Sequence, residues 1–229
     1  MINQISLEKE DRDLKFDAST IHSLVAVVVV VSFLGYLVEN IFLLFKCGFC
    51  NNRGMIFPFL LGYGFAILFV YIMFGTPDKP QFFGYKIRNN INRSLQYYIF
   101  LALTVGIGEI LLGTSVEMFT GIVWWDYTSI PLHITKYTSV PTTAAFALMI
   151  FTFMKFFFKP VCGIADYLAK KKKLKILYIT FALIIVDFIF SSIYMIKHGA
   201  FIELWHRNIE KIHLNNINII DRLRDIIPF

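Results

Sequence analysis

Two acids interrupt a stretch that is otherwise apolar enough to enter a bilayer. They are Glu109 and Glu117, within Gln96–Val123, and Trp124-Trp125-Asp126-Tyr127 closes the stretch. A charge at bilayer depth costs about 2.5–3.5 kcal/mol on insertion scales, and is tolerated mainly where it faces a bundle interior or a water-filled cavity. A third acid, Glu39, lies in the first apolar run, and Arg53 follows in the short connection Asn51-Asn52-Arg53-Gly54. Arginine can bind a carboxylate bidentately and reach down from the interface on its long stem. Asp126 adds a fourth acid at the rim. An unpaired carboxylate at such depth is expected to carry a proton or an ion, so this constellation is the predicted site for a substrate or ion.

The elements that must position these residues are helices. Of the 229 residues 57% are hydrophobic, with 25 Phe against 16 Asp and Glu. The apolar residues fall in blocks near the length that spans a hydrocarbon core of ~30 Å at about 1.5 Å per residue. The predicted class is all-α: a polytopic transmembrane helical bundle of about five spans, near 22–45, 55–75, 96–120, 140–158 and 175–196. These lie in a transmembrane domain over 21–198, after a polar N-terminal segment, 1–20, with no removable signal visible. Over 199–229, Ile202, Trp205, Ile209, Ile212, Ile219, Leu223 and Ile226 follow steps of three and four, broken at Asn216. That stripe predicts an amphipathic C-terminal helix lying in the membrane interface, or pairing with a partner helix. No internal repeat, low-complexity tract or soluble domain is evident.

The net charge of +6 does not indicate a nucleic-acid partner, because six of the lysines (Lys159, Lys170 to Lys173, Lys175) lie in or beside one connection. There they read as a topology signal and a contact for anionic lipid headgroups. Lysine and arginine concentrate in the N-terminal segment and in Gly75–Arg93 and Pro160–Lys173, against only Lys46, Arg53 and Lys136 in the alternate connections. That asymmetry predicts a multi-pass protein of the inner, or cytoplasmic, cell membrane with its N-terminus in the cytoplasm.

With that orientation Glu39 and Glu117 each sit about six residues before the outer end of a helix, roughly 9 Å below the interface. Glu109 lies roughly 12 Å deeper and about 80° round the helix from Glu117. All three acids are therefore expected to line one outward-facing cavity between the first three helices. They outnumber the nearby arginine, which favours a functional role over simple stapling of helices. Trp124 and Trp125 taken alone read as an aromatic belt. Asp187, with Ser191 one turn on, reads as an interhelical hydrogen bond, and His133 stands alone.

No cofactor or metal is predicted. Cys47-Gly-Phe-Cys50 lacks the second ligand pair that zinc needs and the βαβ context of a redox pair. There is no phosphate-binding P-loop and no G-x-S-x-G nucleophile motif.

The order Gly35-Tyr36-x-x-Glu39, Asn52-Arg53-Gly54, Pro58 and Tyr63-Gly64 resembles the first half of the bacterial family labelled "Putative ABC-transporter type IV", the CmpB-like permeases. Glu109 and Glu117 at a spacing of eight, then Trp124-Trp125-Asp126-Tyr127, are similar to its second half, with Pro131 and Lys159-Pro160 fitting more loosely. The resemblance covers roughly 28–160. It departs at Tyr36, where the family has Trp, at the Gly-Pro pair reduced to Pro58, and at His133 and Lys136, which replace Asn and Gly; one residue is also missing between Arg53 and Tyr63. The resemblance implies a permease subunit served by a separate ATPase docking on Gly75–Arg93. The implied site comprises Glu39, Asn52, Arg53, Glu109, Glu117, Trp124, Trp125, Asp126 and Tyr127. Membrane lipids, the ATPase and a second copy of the chain are the partners this reading admits. Two rivals stand beside it: a membrane enzyme acting on a lipid or isoprenoid, with Glu109 or Glu117 as acid and Asp126 assisting, and a non-catalytic assembly protein.

Overall fold

The computed structural model describes residues 7–9, 18–47, 49–82, 85–87, 93–202 and 207–208. The predicted amphipathic segment falls almost wholly outside the described residues, as do the side chains of Cys47 and Cys50. The protein is a helical bundle: α1 (Ala18–Cys47), α2 (Leu61–Phe74), α3 (Arg93–Thr120), α4 (Val140–Thr152), α5 (Phe158–Lys170) and α6 (Leu174–His198). A π-helical turn, Phe153–Phe157, joins α4 to α5 without a break. Among the described residues four runs are long and apolar enough to cross a membrane: Ser19–Leu44, Arg93–Thr120, Val140–Lys170 and Leu174–His198. The fifth apolar helix, α2, has 14 residues, or about 21 Å, and falls short of a ~30 Å core by itself. The irregular chain over 55–60 continues its apolar run.

The predicted connection Pro160–Lys173 is helical as far as Lys170. The π turn lies just before Pro160, where proline's missing N–H and bulky ring would otherwise interrupt the hydrogen-bond ladder. The polar residues that suggested a connection lie on one side of α5: Lys159, Asp166 and Lys170 are exposed, while Phe158, Val161 and Ala165 are buried.

Helix α1 lies at the centre, against α2, α5 and α6. The main core gathers Val27, Val31, Ile67, Val70, Leu101, Met154 and Phe158. Gly64 permits a close approach of α2 to α1: a Cβ there would fall 2.6 Å from both the Val28 carbonyl and the Ser32 hydroxyl, the small-residue contact usual between membrane helices. Leu103, Ile107 and Leu111 on α3, and Ile179, Val186 and Ile193 on α6, point outward. They form the surface that a bilayer would cover.

The chain between α2 and α3 forms a small antiparallel sheet. Strands β3 (Gly75–Thr76), β4 (Lys79–Phe82) and β5 (Tyr85–Ile87) join β1 (Leu7–Lys9) in the order β1-β5-β4-β3. Phe82 packs against Phe100 of α3 in a tilted pair at 4.8 Å between centroids, and Tyr97 donates to the Gly75 carbonyl at 3.0 Å. Lys159 of α5 bonds Asp78 in the β3–β4 turn at 3.1 Å. At the opposite end β2 (Phe49–Cys50) pairs with β8 (Arg207–Asn208), and β6 (His133–Thr135) with β7 (Thr138–Ser139).

Candidate functional site

The connection from α1 to α2 is a tight turn. The Met55 N–H donates to the Asn52 carbonyl at 2.9 Å, and the two central residues, Arg53 (φ 50°) and Gly54 (φ 79°), both have positive φ, the type I′ pattern. That backbone is uncommon for arginine, and local bonds hold it. The Arg53 N–H donates to Asn51 Oδ1 at 2.7 Å, and the Asn51 N–H to Asn40 Oδ1 at 2.8 Å. Asn52, 1% exposed, donates to the carbonyls of Met55 and Phe57. Asp187 of α6 accepts the N–H groups of Ile56 and Phe57, each at 2.9 Å, and the Ser191 hydroxyl at 3.1 Å. A non-helical segment beside α6 thus has these backbone donors satisfied by protein, as apolar surroundings require.

The turn aims Arg53 at Glu39. Its Nε donates to Glu39 Oε1 at 2.8 Å, Nη2 reaches the same oxygen, and Nη1 donates to the Trp124 carbonyl at 2.6 Å. The hydroxyl of Tyr63, on α2, donates to Glu39 Oε2 at 2.8 Å. One guanidinium therefore ties α1 to the chain after α3.

A second cluster is built in the same manner. The β6–β7 hairpin carries Lys136 and Tyr137 at its turn. Lys136 Nζ donates to Glu117 Oε1 at 2.6 Å, and the Tyr137 hydroxyl donates to Glu117 Oε2. Trp125 Nε1 donates to the Tyr137 carbonyl, and the Tyr127 N–H to the Lys136 carbonyl, both at 2.8 Å, so the aromatic segment staples the hairpin down. Bonds to Glu117 and Tyr137 push the Lys136 ammonium above its ordinary pKa.

The two clusters share a sequence signature, Leu34-Gly35-x-x-Val38-Glu39 and Leu112-Gly113-x-x-Val116-Glu117. Each glycine lies one turn before its acid and gives room to a tyrosine ring. A Cβ on Gly35 would fall 2.5 Å from the Tyr63 ring, and one on Gly113 2.4 Å from Tyr137. In both, the tyrosine takes one carboxylate oxygen and a cation the other. The same local arrangement is thus built twice, once on α1 and once on α3. The shared motif is six residues long, and its partners sit at unequal offsets: Arg53 is 14 residues after Glu39, Lys136 19 after Glu117.

Glu109 belongs to neither cluster. Its Oε2 accepts the hydroxyls of Thr138 at 2.8 Å and Thr143 at 2.9 Å, and among the described residues no cation lies within ion-pair distance of it. Both threonines are placed by the start of α4, where Ser139 caps the helix reciprocally with Thr142 and Pro141 occupies the first turn. Tyr127, 8% exposed, lies between the clusters. Burial first, and then the negative fields of Glu109 and Glu39, raise its hydroxyl well above the ordinary tyrosine pKa, with Arg53 opposing. It is a neutral hydroxyl at physiological pH. Two buried polar atoms close by, Asn52 Oδ1 and Trp124 Nε1, have no protein partner among the described residues.

Of the nine predicted site residues, Glu39, Arg53 and the Trp124 backbone meet directly, with Asn52 shaping the turn beneath. Glu117 stands apart with Lys136, and Trp125 and Tyr127 hold the hairpin over it. Asp126 is exposed and accepts the Thr128 N–H at 2.8 Å. Tyr63, Lys136, Tyr137, Thr138 and Thr143 were not predicted. Tyr63 was within reach, standing one residue before Gly64 in the motif already noted. Lys136 enters the sequence reading as a charge in a connection and as a departure from the family pattern, not as a partner for Glu117. Among the described residues no group of three His, Cys, Asp or Glu is placed to hold a metal.

A family model described as "Putative ABC-transporter type IV" matches residues 26–192, which include both clusters and Glu109. A search of curated proteins and a search of solved structures each found no match.

Proposed function

The chain belongs to the family described as "Putative ABC-transporter type IV", and on that premise we propose that it is a membrane transport subunit whose polar centre, around Glu109, receives a substrate or ion from the outer side. The observation that carries this reading is Glu109 itself: an acid inside a candidate span, held by two threonine hydroxyls, on a helix whose other acid already has a cation. The matched clusters support it. Transporters are often built from repeated units with the site between them, and the Arg53–Trp124 bond joins the α1–α2 unit to the chain after α3. In this reading Glu39–Arg53–Tyr63 and Glu117–Lys136–Tyr137 are locks that hold the two units, and Glu109 is the carboxylate left to bind.

In the same reading the N-terminus is cytoplasmic, which makes the β1-β5-β4-β3 sheet the docking platform for a separate ATPase. The chain itself supplies no phosphate-binding loop. Native mass spectrometry on the protein gently extracted from its own membrane tests the assignment. We expect a co-purifying nucleotide-binding subunit that is lost when Lys79 and Lys86 on the sheet are replaced by Glu. A chain that comes out with no nucleotide-binding partner would overturn it, and a bound isoprenoid in that partner's absence would favour a lipid-modifying enzyme.

A further inference from the structure

The structure holds a second feature, at the far end of the bundle from Glu109 and independent of the transport reading. A groove runs along α1 between α2 and α6, and every residue lining it is apolar. Ile21, Leu24, Val25 and Val28 supply α1's share, one face at helical spacing, with Val28 buried as the floor. Phe65 and Leu68 of α2 form one wall and Phe181 of α6 the other. Phe65 and Ile21 are 42% and 43% exposed, so the groove opens sideways toward the bilayer.

The Ile21 end of this groove lies beside the start of α6, where five lysines fall within residues 170–175. Next to Ile21, His22 Nδ1 bonds the Tyr178 hydroxyl at 2.5 Å, joining the start of α1 to the start of α6. Leu174, the first residue of α6, packs in the same cluster as Val25. Lys173 and Lys175 flank Leu174, and Lys170, Lys171 and Lys172 precede them. All five lysines are exposed, and none forms an ion pair among the described residues.

We propose that this groove and its basic mouth form a binding site for one anionic phospholipid, with an acyl chain along α1 and the phosphate among Lys172, Lys173 and Lys175. Charge and shape select the occupant together. A partner helix would not explain why the cations gather at one end of an otherwise apolar groove. A free phosphate would leave the groove empty. Lysines near a headgroup surface favour anionic lipid, and three of them predict a preference of roughly tenfold or more over a zwitterionic lipid of the same chains.

The test uses the full chain, delipidated in detergent, with equimolar phosphatidylglycerol and phosphatidylcholine, read by native mass spectrometry. The parent is expected to retain one phosphatidylglycerol with roughly tenfold or greater preference. The triple variant Lys172→Ala, Lys173→Ala, Lys175→Ala should drop to within twofold while still holding some lipid. Val25→Trp, which fills the groove, should lose retention of both lipids. Phe65→Ala, at an exposed wall position whose truncation leaves the buried core untouched, should weaken it if Val25→Trp does not fold. Equal retention of the two lipids by the parent, or an unchanged preference in the triple variant, overturns the proposal. So does full retention in the groove variants, or glycerol phosphate protecting against heat as well as the lipid does.

Discussion

The two clusters use the same chemistry at different burial, so breaking each should have unequal consequences. Arg53 and Glu39 are 18% and 14% exposed, whereas Lys136 and Glu117 are 39% and 35% exposed. Arg53→Met strands Glu39 with only the Tyr63 hydroxyl and removes the bond to the Trp124 carbonyl. Breaking a buried ion pair by removing one partner costs about 3–5 kcal/mol. For a chain of this length about 1 kcal/mol corresponds to roughly 2–4 °C in Tm, so Arg53→Met should lower Tm by about 6–20 °C. Adding Glu39→Gln removes the stranded charge and should recover at least half of the loss, because much of it is the uncompensated carboxylate. Lys136→Met acts on a pair that water can reach and should leave Tm within the error of the parent. The assay is thermal unfolding of purified, detergent-solubilised protein, followed by size exclusion of a fluorescent fusion. Equal losses from Arg53→Met and Lys136→Met, or no recovery in the double variant, would refute the burial argument.

Three further outcomes follow from the same geometry. Gly113→Ala places a methyl 2.4 Å from two carbons of the Tyr137 ring; we expect a loss of about 1–3 kcal/mol from overpacking, relieved by adding Tyr137→Ser, and Tm measurements on both variants check this. Asp187→Asn puts an amide donor where the carboxylate now accepts two N–H groups, and should cost about 1–3 kcal/mol, visible as faster hydrogen exchange at Ile56 and Phe57. The raised pKa values of Lys136 and Tyr127 predict no stability step from these groups near neutrality. Each folded form keeps its proton longer than the unfolded chain does, so their contribution is complete below the unfolded values near 10 and is lost as pH rises through the higher folded values. Tryptophan fluorescence of the Trp124–Trp125 segment should accordingly hold steady from pH 7 to about 9 and change only in alkali, and Lys136→Met should shift that change to higher pH, because the ammonium is gone and no longer eases loss of the Tyr137 proton.

Much of the architecture was legible because membrane helices declare themselves by length and apolarity. The pairing of Glu39 with Arg53 was also legible, since an arginine in a short connection has few other acids to reach. The reading went astray where local chemistry competes with pattern. Lysines and a proline made α5 look like a connection, although a π turn absorbs Pro160 and the helix turns its lysines outward. Glu117 was grouped with Glu39 in one cavity because depth is readable from residue counts, whereas the partner of Glu117 depends on a hairpin turn. That hairpin brings Lys136 and Tyr137 back over α3 through tertiary bonds from Trp125 and Tyr127. The likeness of the two clusters was hard to read because their tyrosines and cations come from different offsets along the chain, although leucine, glycine, valine and acid keep register.

The central claim is that Glu109 faces a polar centre reached from outside. Its direct test is Glu109→Cys in a chain whose Cys47, Cys50 and Cys162 are replaced by Ser, treated in intact cells with a membrane-impermeant thiol reagent. The account predicts rapid labelling from the outer side, slowed when the substrate or ion is bound, while Leu103→Cys on the lipid-facing surface of α3 stays unlabelled. A thiol in place of Glu109 that is inert from both sides, or that reacts only from the cytoplasmic side of inverted vesicles, would contradict it.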